Sequence, residues 1–137
     1  MNATLDWLLE KENPSVRYFA LRYLLDRAED EAEVQSARRA IMRSEPVRKI
    51  LATQHSQGYW VKRGSGYGPK YQGTVWQIIF LAELGADGRN RQVRRGCDYL
   101  LTHAQAVHGG LSASANAAPS GAVHCLDGNL IWALTML

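Results

Sequence analysis

Gln54-His55-Ser56-Gln57-Gly58-Tyr59-Trp60 is the stretch on which the fold turns. It is a Q-x-x-x-G-x-W run that ends a basic and apolar helical pattern, Arg48-Lys49-Ile50-Leu51-Ala52-Thr53, and is followed by a second helical pattern. A glycine after a helix can take the left-handed conformation that ends it. A glutamine is long enough to hydrogen-bond the exposed backbone groups at a neighbouring helix end. The tryptophan then seals the junction, so Gln54 and Trp60 read as structural staples between two helices.

A degenerate copy follows roughly 50 residues later, a period that points to a solenoid or a ring of helical hairpins. In the first copy the helix before Gly58 is answered by a return helix over 74–84, and in the second the helix over 95–101 leads to Gly109-Gly110-Leu111 and a return helix over 127–137. The second copy reads as worn, with Gln105 out of register and Leu111 in the place of the tryptophan.

Upstream, residues 1–45 read as three short helices. The first carries Leu5, Leu8 and Leu9 on one side with Trp7 near them. The second opens at Asn13-Pro14, with Asn13 as N-cap and Pro14 at the first helical position, where its missing N–H costs nothing. Val16, Phe19, Ala20, Tyr23 and Leu24 fall at helical spacing and predict its buried face, and Asp26-Arg27 closes it. The third follows Glu29-Asp30-Glu31 and runs to Arg43, with acidic residues at its start, arginines at its end and Val34, Ala37, Ala40 and Ile41 as its apolar stripe. Ser44-Glu45-Pro46 is a tight junction, so the 1–45 segment and the repeats over 46–137 are expected to form one continuous all-α body.

Composition sets outer bounds. With 46% hydrophobic and 21% charged residues the chain is ordinary globular material. Its longest apolar stretch, 78–82, is far too short to span a bilayer, and the N-terminus has no basic region leading into an apolar core, so the expectation is a cytoplasmic protein with no transmembrane segment. Cys97 and Cys125 read as free thiols. The arginines behind the formal +3 charge are scattered, with no basic run interleaved with stacking aromatics, which argues against a nucleic-acid partner.

Gln54, Gly58 and Trp60, with the worn copy after them, resemble the prenyltransferase and squalene-oxidase repeat family, which includes terpenoid cyclases and the beta subunits of protein prenyltransferases. The resemblance covers about residues 48–137. It implies an alpha-alpha toroid in which inner helices surround a cavity and outer helices pack on them, and it implies an isoprenoid or other apolar ligand. The Asn13-Pro14-x-Val16-Arg17 start separately resembles helical repeats of the HEAT type. A closed ring needs more hairpins than this chain supplies, and 136–137 end inside an apolar helix, so self-association or a longer parent chain is expected.

The chemistry that the family carries is mostly missing from the sequence. A cyclase that protonates an alkene needs clustered carboxylates, and ionisation-type synthesis needs an Asp-rich helix holding magnesium against a diphosphate. Asp6, Asp26, Asp30, Asp87, Asp98 and Asp127 form no such cluster. Prenyl transfer needs zinc on an Asp, a Cys and a His with an open position. His124, Cys125 and Asp127 supply those types within four residues, in reversed order, and His103 and His108 offer further nitrogens. The structural alternative makes Asp127 the N-cap of the last helix.

Trp76, Phe80, Asn129 and Trp132, with Tyr99, are candidates to line a cavity, where the rings would face a carbocation. Gly128 beside Asn129 suggests a close approach by backbone or ligand. The glycine-rich loop 64–69 lacks the Lys-Ser/Thr ending of a phosphate loop, although Lys62, Arg63, Lys70 and Tyr71 would be placed to meet a diphosphate. Two functions follow: a repeat protein with an apolar cavity, and a non-catalytic helical-repeat interaction or assembly module.

Overall fold

The computed structural model describes residues 3–107, 109–113 and 122–137. These form α1 (Ala3–Leu8), α2 (Pro14–Phe19) running into a π-helical turn (Ala20–Leu24), α3 (Ala32–Arg43), α4 (Glu45–Ala52), α5 (Thr74–Glu83), α6 (Arg91–His103) and α7 (His124–Met136). Among the described residues the only bridge pairing is isolated, between Gln105 and Leu111, and no strand forms. The protein is all-α.

α2 departs from its predicted face. Tyr18, Ala20 and Leu21 are buried, whereas Val16, Tyr23 and Leu24 are exposed. Apolar residues stand on every side of this segment, so a 3.6-residue period does not single out one stripe. The Leu25 N–H bonds the Ala20 carbonyl, five residues back, and this wide turn shifts the phase and swings Tyr23 and Leu24 outward. Asn13 occupies the cap position without a side-chain cap bond, so its backbone carbonyl, taking the Arg17 N–H, is what it gives the helix.

α3 holds to its predicted span and buries Val34, Ala37 and Ile41, with Ala40 half-buried. The Glu29 carboxylate before it accepts from Tyr18 Oη (2.9 Å) and Arg38 (2.6 Å). Arg38 also donates to the Ala86 carbonyl, which ties α3 to the turn after α5. In that turn Arg89 chelates Asp87 and holds its carboxyl below the usual carboxylate range against the opposing pull of burial. A carboxylate with a depressed folded-state pKa adds stability above its unfolded pKa and loses it as pH falls through the folded value. Asp87→Asn is therefore expected to lower the melting temperature at neutral pH and to have a shrinking effect on acidification below pH about 4, as thermal scans across pH would record.

The segment from α4 through its turn to α5 is matched in sequence register by the segment from α6 through its turn to α7, at an offset of 51 residues. Gln105, Gly109 and Leu111 each stand 51 positions after Gln54, Gly58 and Trp60. The expectation that Gln105 lies out of register is thus corrected, and the turns confirm it bond by bond. His55 N–H donates to the Tyr59 carbonyl (2.9 Å) as Ala106 does to Gly110 (3.0 Å), and Gly58 N–H donates to His55 (2.8 Å) as Gly109 does to Ala106 (3.1 Å). Gly58 and Gly109 both have positive φ, +101° and +90°. Trp60 N–H donates to Thr74 Oγ1 at the start of α5, and Leu111 N–H donates to Asp127 Oδ1 in the first turn of α7.

Burial repeats as well, but on one side only. Val75, Ile79 and Ala82 of α5 are buried, and so are their equivalents Leu126, Leu130 and Ala133. α5 buries a second stripe, Thr74, Ile78 and Leu81, and contacts α4, α6 and α7, as an all-round apolar central helix must. The equivalents of that stripe in α7 are Cys125, Asn129 and Trp132, all exposed.

Candidate functional site

The junction of α4 with α6 shows what the motif does. Gln54 Nε2 donates to the Gln92 carbonyl (2.9 Å) and Gln92 Nε2 donates back to the Leu51 carbonyl (3.1 Å), so two glutamines clamp the end of α4 to the start of α6. Asn90 caps α6 by accepting from the backbone N–H groups of Gln92 and Val93. Trp60 is buried and donates its Nε1–H to the Ile50 carbonyl at 2.7 Å. Gly96 lets α6 come down on it: a Cβ there would stand 2.9 Å from Ile78 Cδ1 and 3.0 Å from the Trp60 ring. Neither Gln92 nor Gly96 is among the residues that the motif analysis marks. The signal was present, because a glycine inside a helix costs about 1 kcal/mol relative to alanine and marks a close approach.

The loop over 61–73 closes on α5. Val75 N–H is taken by the Gly66 carbonyl, and the N–H groups of Trp76 and Gln77 by the Gly73 carbonyl. The amides at the start of α5 are therefore spent within the loop, which is unlike a phosphate cradle, where they face the ligand. Lys70 lies over the Tyr71 ring at 5.0 Å, and Arg63 shares a surface recess with Gln57, Tyr99 and His103. Tyr99 is buried, accepts from the Gly64 N–H at 3.0 Å and stacks on His103. His103 Nδ1 donates to the Tyr99 carbonyl at 2.9 Å.

Of the predicted cavity residues, Trp76 and Phe80 are half-buried on α5, and Trp76 donates Nε1–H to the Tyr67 carbonyl. Asn129 and Trp132 are exposed on α7, and Asn129 Nδ2 donates to the Cys125 carbonyl. The two pairs stand on non-equivalent stripes, since the register partners of Asn129 and Trp132 are Ile78 and Leu81. No atom outside α7 comes within 4 Å of where a Cβ on Gly128 would lie, so the close approach expected there is absent among the described residues. A surface recess of about 600 Å³ between the start of α2 and the α3–α4 junction is lined by none of the predicted site residues.

The donor set His124, Cys125 and Asp127 does not fit a zinc ion. Successive helix positions are turned by about 100°, so residues two apart face away from one another. Asp127 Oδ1 is held by the Leu111 N–H at 2.6 Å, whereas His124 and Cys125 are exposed. No group of three or more metal-ligating side chains lies together among the described residues. The alternative role for Asp127 also changes: α7 begins at His124 with Val123 in the cap position, and Asp127 sits in the first turn, pinning the preceding loop. His108 lies outside the described residues. Cys97 is a poor nucleophile, its thiol pushed up to about 11 by burial and by Asp98 beside it.

Among the described residues, the outer face of α7 is exposed along its length. Ile131 is 63% and Trp132 43% exposed, Cys125, Gly128, Asn129 and Thr135 lie with them, and the helix carries no charge other than Asp127. Leu134, by contrast, packs partly on the core. No helix among the described residues is long and apolar enough to cross a membrane. No protein-family model matches the chain, and comparison with curated proteins and with solved structures returns no match.

Proposed function

We propose that this chain is a non-catalytic helical-repeat module of the prenyltransferase and squalene-oxidase repeat kind, working by association through the outer face of α7. The observation that carries the reading is the uncharged exposed stripe of α7, whose register equivalent on α5 is buried. An exposed helix face that carries no charge reads as a binding surface, because the apolar area left in water favours any partner that removes it. The reading places the chain in the cytoplasm with no nucleic-acid partner. The simplest partner is a second copy, so light scattering across a concentration series is expected to show assembly for the wild type. Ile131→Asp with Trp132→Asp is expected to give a monomer with unchanged helicity. A wild type that stays monomeric at high concentration would sink the reading.

A second reading is favoured by one observation: Trp76 and Phe80, one turn apart on α5, are each half-buried and so keep part of their rings accessible. They would hold an isoprenoid or similar apolar chain. A fluorescent farnesyl analogue is expected to be bound and Trp76→Ala to weaken it; saturation unchanged in that variant would remove this reading.

A further inference from the structure

Three features of the α5–α6 junction have register equivalents in the second repeat, and all three are open. Gln54 reaches across to the Gln92 carbonyl, whereas Gln105 is exposed. A Cβ on Gly58 would stand 2.5 Å from the Arg95 carbonyl oxygen, so α6 lies directly on that turn; at Gly109 no atom of the described residues lies within 4 Å of the same position. The stripe Thr74, Ile78 and Leu81 is buried, with Ile78 against Gly96 of α6, whereas Cys125, Asn129 and Trp132 are exposed. Turn, glutamine and stripe lie together in the first repeat as the seat of one helix.

Resting on the association reading above, we propose that the second repeat offers the same seat in trans, and that its partner is an amphipathic helix of the α6 kind with a small residue where it crosses α7. The first repeat shows what covers such a surface, because α6 covers its twin on α5. Its contact stripe is Val93, Gly96, Tyr99 and Leu100, all buried. The crossing point differs in one respect. Leu111 and Asn129 stand where Trp60 and Ile78 stand in the first repeat, and both are smaller. There is room at the crossing for serine, whose hydroxyl can hydrogen-bond the Asn129 carboxamide. Tryptophan there overfills it.

The probe is a synthetic peptide of residues 91–103, held helical by a hydrocarbon staple replacing Arg94 and Asp98, which are exposed in the protein. Fluorescence anisotropy against the full chain is expected to show saturable binding. The Gly96→Ser peptide is expected to bind at least as tightly and Gly96→Trp about tenfold more weakly, in line with the penalty for overpacking. Trp132→Asp in the chain should abolish binding of all three. Equal binding of the serine and tryptophan peptides, or binding that survives Trp132→Asp, would overturn the seat. If the peptide fails to bind while the wild type still assembles through Ile131 and Trp132, the proposed helix is wrong and the association reading stands. Loss of both removes the two together.

Discussion

Trp60→Ala is expected to destabilise the protein more than any other single core truncation, by about 3–5 kcal/mol. The side chain is 2% exposed, its ring supports Gly96 of α6, and its Nε1–H satisfies the Ile50 carbonyl near the end of α4. Truncation leaves a cavity that α4, α5 and α6 cannot all collapse into, and it strips a partner from a helix-end carbonyl. Domains of this size are stable by about 5–15 kcal/mol, so the variant should sit near its unfolding threshold. Urea titration followed by far-UV circular dichroism measures the loss. Trp60→Phe separates the terms, since it keeps most of the ring and removes the N–H. A Trp60→Ala loss below about 1 kcal/mol would mean that the motif does not hold α4, α5 and α6 together.

How far the sequence reveals this arrangement varies with the kind of signal. The α4, α5 and α6 helices and the roles of Gln54, Gly58 and Trp60 are legible because each motif residue has one dominant physical use: a long amide, a positive φ, a large apolar body. Gln105 is misjudged when the second copy is compared by residue similarity. Its register emerges from bonds that any residue can make, such as Ala106 N–H to the Gly110 carbonyl. The buried face of α2 is illegible because its apolar residues surround the helix and a π turn resets the phase. His124, Cys125 and Asp127 mislead for a different reason: nearness in sequence is not nearness on a helix, where Cys125 and Asp127 point apart. For Asn129 and Trp132, residue type alone cannot separate a cavity wall from a helix seat. What the structure adds is that they are exposed where Ile78 and Leu81 are buried.

The repeat supplies its own control for the last prediction, that Gly58→Ala costs about 3 kcal/mol and Gly109→Ala about 1 kcal/mol. Both glycines have positive φ, so both alanines bear the strain of a left-handed backbone, about 1–2 kcal/mol for an L-residue. Among the described residues, only Gly58 of the two has a helix resting on it. Its new Cβ would meet a backbone carbonyl oxygen, Arg95 O, which cannot rotate away as a flexible side chain would, so α6 must lift or the turn must open. Lifting α6 also stretches the Gln54 and Gln92 bonds and withdraws Gly96 from Trp60. The excess of Gly58→Ala over Gly109→Ala therefore measures the closeness of the α6 contact, free of the conformational term common to both. Chemical denaturation of the two variants gives that difference directly. Equal losses would show that α6 yields at no cost, and the tight seat inferred for the second repeat would then lack its model in the first.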